Sequence, residues 1–310
     1  MFQYVISRLL QGFLVIFLIS VITFTIMRLL PGDPVFLLLG EGQIQITEEQ
    51  IDAIRAKWGL DLPLHQQYLV WVRSMFQGDF GVSLVRTGVP IRDMIAESVP
   101  VTLILNGWAL AISLLIAIPA GVIASIRRNS IFDYLTTVGS TLGVAVPNFW
   151  LGLKLIILFA LYLDLLPPFG LRSWQGYILP VIVLATEQTA VLARVMRGSM
   201  LEVLNEDYIR TAVSKGLPQR VVVIQHAVRN ALLPVVSVIG FRIAFLLSGT
   251  IVVETVFALP GVGRLLTDSV FRLDYQVVQS LVVLLSVLVV AVNLLTDLVY
   301  VLIDPRIRIK

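Results

Sequence analysis

The sequence has no cysteine, only two histidines and few charged residues. Lys and Arg together number 23 and Asp and Glu 20, so charged residues make up 14% of the 310 positions. Soluble domains average about a quarter. The lack of cysteine excludes disulfide scaffolds and zinc–thiolate modules, and the near balance of charge excludes a long acidic or basic disordered tail. What the sequence has instead is 57% apolar residues and a mean hydropathy of +0.91.

The apolar residues are concentrated in long runs that contain no charged residue. The clearest runs cover residues 9–27, 98–126, 134–153 and 275–296. Each approaches or exceeds the roughly 20 residues that a helix needs to cross a bilayer core. We therefore predict an all-α membrane protein with six transmembrane helices, located at 1–29 and near 100–125, 134–163, 177–196, 231–255 and 277–301.

The basic residues predict the side of the membrane on which each loop lies. Lys and Arg concentrate in three segments, at 127–128, 194–229 and 306–310. Because short cytoplasmic loops carry such an excess, both termini are predicted to be cytoplasmic, including a tail at 302–310. Residues 30–97 are then an external insertion, and residues 98–301 form a five-helix core. Topology accounts for the basic residues, so nucleic acid is not expected as a partner.

The predicted cytoplasmic loop at 197–230 contains the pattern of a short helix over 206–217. Asn205 is expected to cap its first free N–H groups, and Gly216 to adopt the left-handed conformation that follows a helix end. Pro218 prevents the same helix from continuing. A helix of this length cannot cross a bilayer, so we predict that it lies along the cytoplasmic surface.

The same loop has an amphipathic pattern. Leu201, Leu204, Tyr208 and Ala212 recur at helical spacing, which leaves Arg210 and the residues near the helix end elsewhere on the surface. One interpretation is a helix that docks into a groove of a partner protein. The alternative is an interfacial loop that only packs on its own bundle, and the residues alone leave both open.

Three ionisable residues fall inside predicted spans: Lys154, Glu187 and Arg242. Such residues mark a transport path or a buried pair. The alternative is snorkelling or helix pairing without substrate contact. Since a lone charge near the bilayer centre is costly, the opposite charges of Glu187 and Arg242 on consecutive spans are expected to pair. Glu254 and Asp297, near span ends, are predicted to be interfacial.

Several motifs together resemble one known family. Residues 210–216, Arg-Thr-Ala-Val-Ser-Lys-Gly, are similar to the Glu-Ala-Ala-x-x-x-Gly core of the coupling loop in bacterial ABC importer permeases of the type I fold. Residues 206–212 and 226–234 look like the dipeptide, oligopeptide, glutathione and nickel branch. Further matching motifs lie at 29–34, 59–63, 77–81, 260–265 and 304–306. Arg210 and Thr211 replace the motif's Glu and first Ala, so a salt bridge of that Glu does not carry over.

The resemblance implies a pore-forming subunit without catalytic residues, cofactor or metal of its own. The implied partners are a second, different permease subunit, two ABC ATPase subunits that bind ATP and Mg²⁺, and a periplasmic or lipid-anchored binding protein. The implied location is the bacterial cytoplasmic membrane, and the expected substrate is a peptide, with glutathione or nickel as alternatives. The implied coupling residues are Asp207, Tyr208, Arg210, Thr211, Ala212, Lys215, Gly216 and Leu217. The implied residues of an external gate, or alternatively of a docking surface, are Pro260, Gly261, Gly263, Arg264 and Asp268.

Rival functions lack their sequence signatures. His65 and His226 are predicted in loops on opposite sides, and no His-Glu-x-x-His motif is present, which argues against a membrane metalloenzyme. No Gly-x-x-x-x-Gly-Lys-Ser/Thr loop is present to hold phosphates, so the chain is not expected to be an ATPase. A secondary transporter would need ion-coupling carboxylates and usually inverted repeats, and neither is clear.

Overall fold

The computed structural model describes residues 2–29, 61–83, 85–86 and 88–303, with side chains described throughout these ranges except at 2–5, 243–249 and 297–303. Some of the sequence predictions therefore fall partly or wholly outside the described residues. These are the motifs at 29–34 and 304–306, the first two residues of the motif at 59–63, the tail after Ile303 and the side chain of Asp297. Within them, all regular structure is helical.

The described residues contain the following helices in chain order. The first six are α1 Phe2–Leu29, α2 Leu64–Phe76, α3 Ile91–Ile126, α4 Ile131–Ala145, α5 Asn148–Leu155, which continues as a π-helix at Ile156–Tyr162, and α6 Ile178–Val203, which follows a 3₁₀ turn at Trp174–Tyr177. The remaining five are α7 Asp207–Ser214, α8 Gln219–Val221, which continues as a π-helix at Val222–Val228, α9 Arg229–Val256, α10 Val262–Phe271 and α11 Tyr275–Ile303.

In the part of the chain that the structure describes, five helical stretches are long and apolar enough to cross a membrane. They are Ile6–Leu29, Ile91–Ile126, Trp174–Val203, Gln219–Arg242 and Tyr275–Thr296. A sixth span is formed if two consecutive helical pieces are counted together. These pieces are α4, Ile131–Ala145, and α5 with its π-helical extension, Asn148–Tyr162. These stretches confirm the predicted all-α membrane fold.

The prediction of one continuous helix over 134–163 is wrong. The chain bends by 99° between Ala145 and Asn148. Val146 has an extended conformation, with φ −80° and ψ 120°, because a residue that precedes proline is sterically excluded from the helical region. Pro147 then starts the next helix, where its missing N–H costs nothing.

Other predicted helix bounds also change. α3 begins at Ile91, well before position 100, and α6 continues to Val203 without interruption at Glu187. The two histidines were expected in loops, and this expectation is wrong. His65 lies in α2 and His226 in the π-helix that leads into α9.

The chain forms two compact units, of which the first comprises residues 1–100 and 264–290. In this unit α2 packs along α1. The ring of Tyr68 lies edge-on to Phe17 and Phe24, with centroid distances of 6.5 and 5.5 Å. The Tyr68 hydroxyl also shares a hydrogen bond with Ser20 Oγ, at 2.8 Å. α2 is thus tied to α1 by aromatic packing and by a polar contact.

A buried carboxylate organises the other part of the first unit. Asp274, just before α11, is hydrogen-bonded to the Ser83 hydroxyl and accepts the backbone N–H of Val85 at 3.4 Å. Ser280 Oγ donates to the carbonyl oxygen of Phe80 at 3.3 Å. The segment that follows the Gln77–Gly81 motif is therefore fastened to the start of α11.

The second unit comprises residues 101–263 and 291–310. Its central helix is α6, which packs against α4, α5 and α9. Glycines permit two close helix approaches: a Cβ added at Gly143 would lie 2.7 Å from Ala190 Cβ, and one at Gly121 would lie 2.7 Å from Met196 Cβ. Small residues at such crossings let membrane helices pack by direct backbone approach.

The start of α4 is fixed to α6 by an ion pair. The buried carboxylate of Asp133 pairs with the guanidinium of Arg197, whose Nη2 donates to Asp133 Oδ2 at 2.9 Å. The backbone N–H of Asn129 also donates to this carboxylate, at 3.0 Å. Ser130 caps the helix by accepting the N–H of Asp133. The turn between α3 and α4 is therefore held at several points.

Candidate functional site

The predicted coupling helix is present as α7, which we call the surface helix. It is shorter than the predicted range of 206–217, and its residue before the first turn, Glu206, is extended. The prediction that Asn205 caps this helix is wrong. The Asn205 side-chain amide donates instead to the carbonyl oxygen of Leu201 at 2.8 Å, because the free carbonyl groups at the end of α6 lie within its reach.

The end of the surface helix has the predicted conformation. Gly216 has φ +76°, in the left-handed region. Its N–H donates to the carbonyl oxygen of Val213 at 2.9 Å, and the N–H of Leu217 donates to that of Ala212 at 3.4 Å. These two bonds form a Schellman motif, which satisfies carbonyl groups that the helix leaves free.

The surface helix is anchored by apolar side chains. Ile209 and Ala212 are buried in a cluster that includes Met196, Met200, Val222, Val223 and Ala227. Tyr208 was expected on this apolar side, and that expectation is wrong because its side chain is 41% exposed. Ile209 occupies the inward position, since its spacing of three residues from Ala212 puts both on one helix face.

The opposite side of the surface helix is exposed and charged. Arg210 Nη1 lies 3.5 Å from Asp207 Oδ1, with both side chains largely in solvent. Thr211, Val213 and Lys215 are exposed as well, and the Thr211 hydroxyl donates to the carbonyl oxygen of Asp207 at 2.9 Å. The helix therefore combines an apolar inner face with an exposed outer face on which the side chains of Asp207, Arg210 and Thr211 are bonded locally.

A polar contact joins the surface helix to α9. The side-chain amide of Asn230, in the first turn of α9, donates to the Tyr208 hydroxyl at 2.9 Å and to the carbonyl oxygen of His226 at 3.0 Å. The π-helix between the two elements supplies Val222, Val223 and Ala227 to the same apolar cluster. The surface helix and α9 therefore meet through both polar and apolar contacts.

The expected pairing of Glu187 and Arg242 is confirmed. Arg242 Nη1 donates to Glu187 Oε1 at 2.9 Å, which joins α9 to α6. The amide of Asn148, at the start of α5, donates to Glu187 Oε2 at 2.8 Å. Both oxygens of the Glu187 carboxylate thus accept a hydrogen bond, and three helices meet at this side chain.

Lys154 has a different environment from the other two ionisable residues predicted in spans. It lies on the last turn of α5 and is exposed, with Nζ 5.5 Å from the centroid of the Trp150 ring. An ammonium group above an aromatic face is attracted by the ring quadrupole. The structure thus brings Glu187 and Arg242 into contact, and it gives Lys154 an aromatic neighbour.

Two of the predicted gate residues lie against a carboxylate that the sequence analysis placed incorrectly. Glu254, in the last turn of α9, was predicted to be interfacial, but it is 0% exposed. The Thr102 hydroxyl donates to Glu254 Oε1 at 2.6 Å. Residues 259–263, which we call the Pro-Gly segment, pass directly over this carboxylate. A Cβ added at Gly261 would overlap it, and one at Gly263 would lie 3.0 Å from Oε2.

The rest of the predicted gate consists of Pro260 and two residues of α10. Arg264 Nε is 3.6 Å from Asp268 Oδ2, one turn further along the helix, and both side chains are partly exposed. Pro260 is exposed, whereas Gly261 and Gly263 are buried. The two glycines are therefore packing positions that require the absence of a side chain.

Comparison with known proteins decides the family. A family model described as "Binding-protein-dependent transport system inner membrane component" matches residues 117–309. A second model, described as "Binding-prot-dependent transport system membrane comp, N-term", matches residues 1–114. The chain belongs to the binding-protein-dependent transport system inner membrane components. It is therefore an ABC importer permease with several membrane helices, as the resemblance implied.

Curated relatives agree with this permease family over the full length. The oligopeptide transport system permease protein AppB of Bacillus subtilis (strain 168) is 41% identical over an alignment of 318 positions. The alignment covers 99% of this permease and all of AppB. The glutathione transport system permease protein GsiC of Escherichia coli (strain K12) is 42% identical over 311 residues and covers both chains completely. The expected oligopeptide and glutathione branch is confirmed.

The matched range of the permease contains the main candidate residues. The surface helix, the Glu187–Arg242 pair, Lys154 and the Pro-Gly segment all lie within 117–309. The partner of Glu254, Thr102, lies outside that range and was not singled out by any motif. In the part of the permease that the structure describes, no group of three His, Asp or Glu side chains is placed to hold a metal ion.

Proposed function

We propose that this permease is one of two homologous but different membrane subunits of an ATP-driven importer of peptides. A periplasmic or lipid-anchored binding protein delivers the substrate, and two ABC ATPase subunits bind ATP and Mg²⁺. The family membership and the 41% identity to an oligopeptide permease support this proposal. The second candidate substrate is glutathione, which the 42% identity to a glutathione permease favours.

The surface helix is the observation that carries the coupling role. Ile209 and Ala212 fasten it to the second unit, so a force on its outer face reaches the apolar cluster. Its outer face presents Asp207, Arg210 and Lys215 to a partner. Charged side chains on such an exposed face are positions where opposite charges of a partner can be matched. We place the ATPase contact on residues 207–217.

Helix α9 provides a route from this contact to the other end of the unit. It is 28 residues long, or about 42 Å at 1.5 Å per residue. Asn230 at its start contacts Tyr208 of the surface helix, and Glu254 near its end lies under the Pro-Gly segment. In the proposed mechanism, closure of the ATPase pair shifts the surface helix, and α9 carries that shift toward the Pro-Gly segment.

The Glu187–Arg242 pair is proposed to hold helices together and not to bind substrate. Both carboxylate oxygens of Glu187 are engaged, by Arg242 and by Asn148. Opposite charges in a membrane are stabilised mainly by such pairing. Lys154, which faces outward beside Trp150, is proposed to be a snorkelling residue.

Cross-linking tests the coupling role. A single cysteine at Val213, 60% exposed on the outer face of the surface helix, is expected to cross-link to a co-expressed ATPase subunit. A single cysteine at Leu165, 63% exposed in the loop after α5, is the control and should give no such product. Equal yields from the two positions would contradict the proposed contact.

Labelling in intact cells tests the orientation. The chain has no native cysteine, so each introduced thiol is the only one. With both termini in the cytoplasm, a cysteine at Ser214 is expected to resist an impermeant maleimide, and one at Phe271 to react with it. Reaction at Ser214 from outside would reverse the proposed topology. The substrate is decided by direct binding of di- and oligopeptides, glutathione and nickel to the cognate binding protein.

A further inference from the structure

Glu254 is a fully buried carboxylate at the point where three segments of the second unit meet. Its side chain accepts the Thr102 hydroxyl of α3 at 2.6 Å. The same Thr102 oxygen accepts the backbone N–H of Val262 at 2.9 Å, so one hydroxyl links the carboxylate to the first residue of α10. The carbonyl oxygen of Glu254 accepts the N–H of Leu259 at 2.8 Å. Both ends of the Pro-Gly segment are thus tied to Glu254.

The surroundings of this carboxylate have the shape and polarity that a buried negative charge requires. Gly261 and Gly263 bring the backbone against its oxygens, where a Cβ would not fit. The start of α10, a helix of ten residues, lies beside it, and the first turn of a helix is favourable for negative charge. Burying a carboxylate is costly unless it is hydrogen-bonded, and here the Thr102 hydroxyl supplies a hydrogen bond while the Pro-Gly segment supplies close packing.

We propose that Glu254 is the positioning residue through which α9 holds the Pro-Gly segment and carries it when α9 moves. The inference rests on the proposed function in one respect, the ATP-driven movement of α9. The holding role rests only on the contacts of Glu254 with Thr102, Gly261 and Gly263. The two parts are therefore tested separately.

The holding role is tested by the accessibility of a buried thiol. Val262 is 2% exposed, so a cysteine at this position in the otherwise cysteine-free chain should react slowly with a charged maleimide. We call this introduced group the reporter thiol. The measurement uses the full-length chain in detergent, which makes it independent of membrane orientation. Glu254→Gln removes the charge to which the Thr102 hydroxyl donates, and Thr102→Val removes the donor itself. Each change should therefore raise the reaction rate about tenfold.

Matched variants keep this test decisive. Thr102→Ser retains the hydroxyl and should react at the original rate. A cysteine at Phe271, 82% exposed at the other end of α10, should react fast in every background. Unchanged slow reaction of the reporter thiol in both Glu254→Gln and Thr102→Val would overturn the proposal. It would also be overturned if Thr102→Ser were as reactive as Thr102→Val. Because Thr102→Val leaves Glu254 itself intact, a folding failure of Glu254→Gln does not end the test.

The carrying role is tested in the complex with its ATPase subunits. ATP should change the reaction rate of the reporter thiol, and Glu254→Gln should remove that dependence while ATP hydrolysis continues. A purely structural role would lower the amount of complex but leave the ATP dependence of the surviving complex unchanged, and that result would overturn the carrying role. If the reporter thiol shows no ATP dependence with Glu254 present, the proposed movement fails, and the detergent measurement still decides the holding role.

Discussion

The surface helix and the Pro-Gly segment are short pieces of the same unit that are held in opposite ways. Ile209 and Ala212 anchor the surface helix by apolar contact, and its charged side chains point outward. The Pro-Gly segment is anchored by the buried charge of Glu254, and its own residues are mostly apolar or glycine. Charge is thus on the outside of one segment and underneath the other.

The difference has consequences for what each segment can do. Apolar contact is non-directional and spread over several side chains, so it holds a helix while leaving its polar groups free for a partner. A buried carboxylate is directional, because its oxygens require particular donors at particular places. The first arrangement suits a docking surface, and the second suits a segment with one fixed position.

The largest expected effect comes from placing a charge in the apolar anchor. Ile209→Asp would bury a carboxylate without a partner among Met196, Met200 and Val223, at a cost of at least about 3 kcal/mol. We expect loss of ATPase co-purification and a lower midpoint of thermal unfolding. Val213→Asp, the same change at an exposed position of the same helix, should have little effect on the midpoint. Equal effects at both positions would remove the distinction between inner and outer face.

The Glu187–Arg242 pair is an intermediate case, since both side chains are about one third exposed. Glu187→Gln leaves the Arg242 charge without its partner and should cost about 1 to 3 kcal/mol of assembly. The double variant with Arg242→Gln should recover part of this loss, because both charges are then gone. The amount of permease complex in membranes is the measurement.

A different result for this pair would be equally informative. Equal assembly of wild type and both single variants would show that the pair contributes nothing. A double variant that assembles normally but transports poorly would show that Arg242 contacts the substrate, for example through a carboxylate.

A smaller effect is expected at the cap of the surface helix. Gly216 has φ +76°, and a Cβ there would meet no atom within 4 Å. Gly216→Val should therefore cost about 1 to 2 kcal/mol through backbone conformation alone. Transport and ATPase association should fall with the protein still in the membrane. Gly216→Asn is the control and should be much milder, because asparagine tolerates the left-handed region. Equal loss in both variants would show that the left-handed backbone conformation is not the cause.

The smallest stability effect is expected on the outer face of the surface helix. The Asp207–Arg210 pair is exposed, so Arg210→Gln should change stability by less than about 0.5 kcal/mol. Binding of the ATPase subunit should nevertheless weaken. Its affinity should also depend less on salt concentration than the affinity of the wild type does. Arg220→Gln removes the same charge from a nearby exposed site and should leave binding closer to that of the wild type. A marked fall in thermal stability for Arg210→Gln alone would mean that this face is not a free docking surface.

Local signals in the sequence were sufficient where the cause is local. Long uncharged runs predicted the spans apart from the bend after Ala145. The run Lys215-Gly216-Leu217-Pro218 predicted the left-handed helix end, because glycine in that position needs no distant partner. The pairing of Glu187 with Arg242 followed from the cost of single charges in a membrane, although the residues are 55 positions apart. In each case one physical rule outweighed the alternatives.

Predictions failed where a distant or competing partner decides. Asn205 was assigned to the surface helix, but carbonyl groups of α6 were closer to its amide. Glu254 was assigned to an interface because Thr102, 152 positions earlier in the chain, gave no signal of its own. The sequence signal that could have indicated the burial of Glu254 was the pair of closely spaced glycines after Pro260. Such glycines indicate a place where the backbone must approach another group.

The bend between α4 and α5 has a consequence for how this protein enters the membrane during synthesis. α4 has 15 residues, about 22 Å at 1.5 Å per residue, and a hydrocarbon core of about 30 Å is thicker than that. With a turn of 99° after it, neither half can serve alone as a straight membrane-crossing unit for the translocation machinery. We therefore expect the insertion of residues 131–162 to depend on a neighbouring span, and α6 is in contact with both halves.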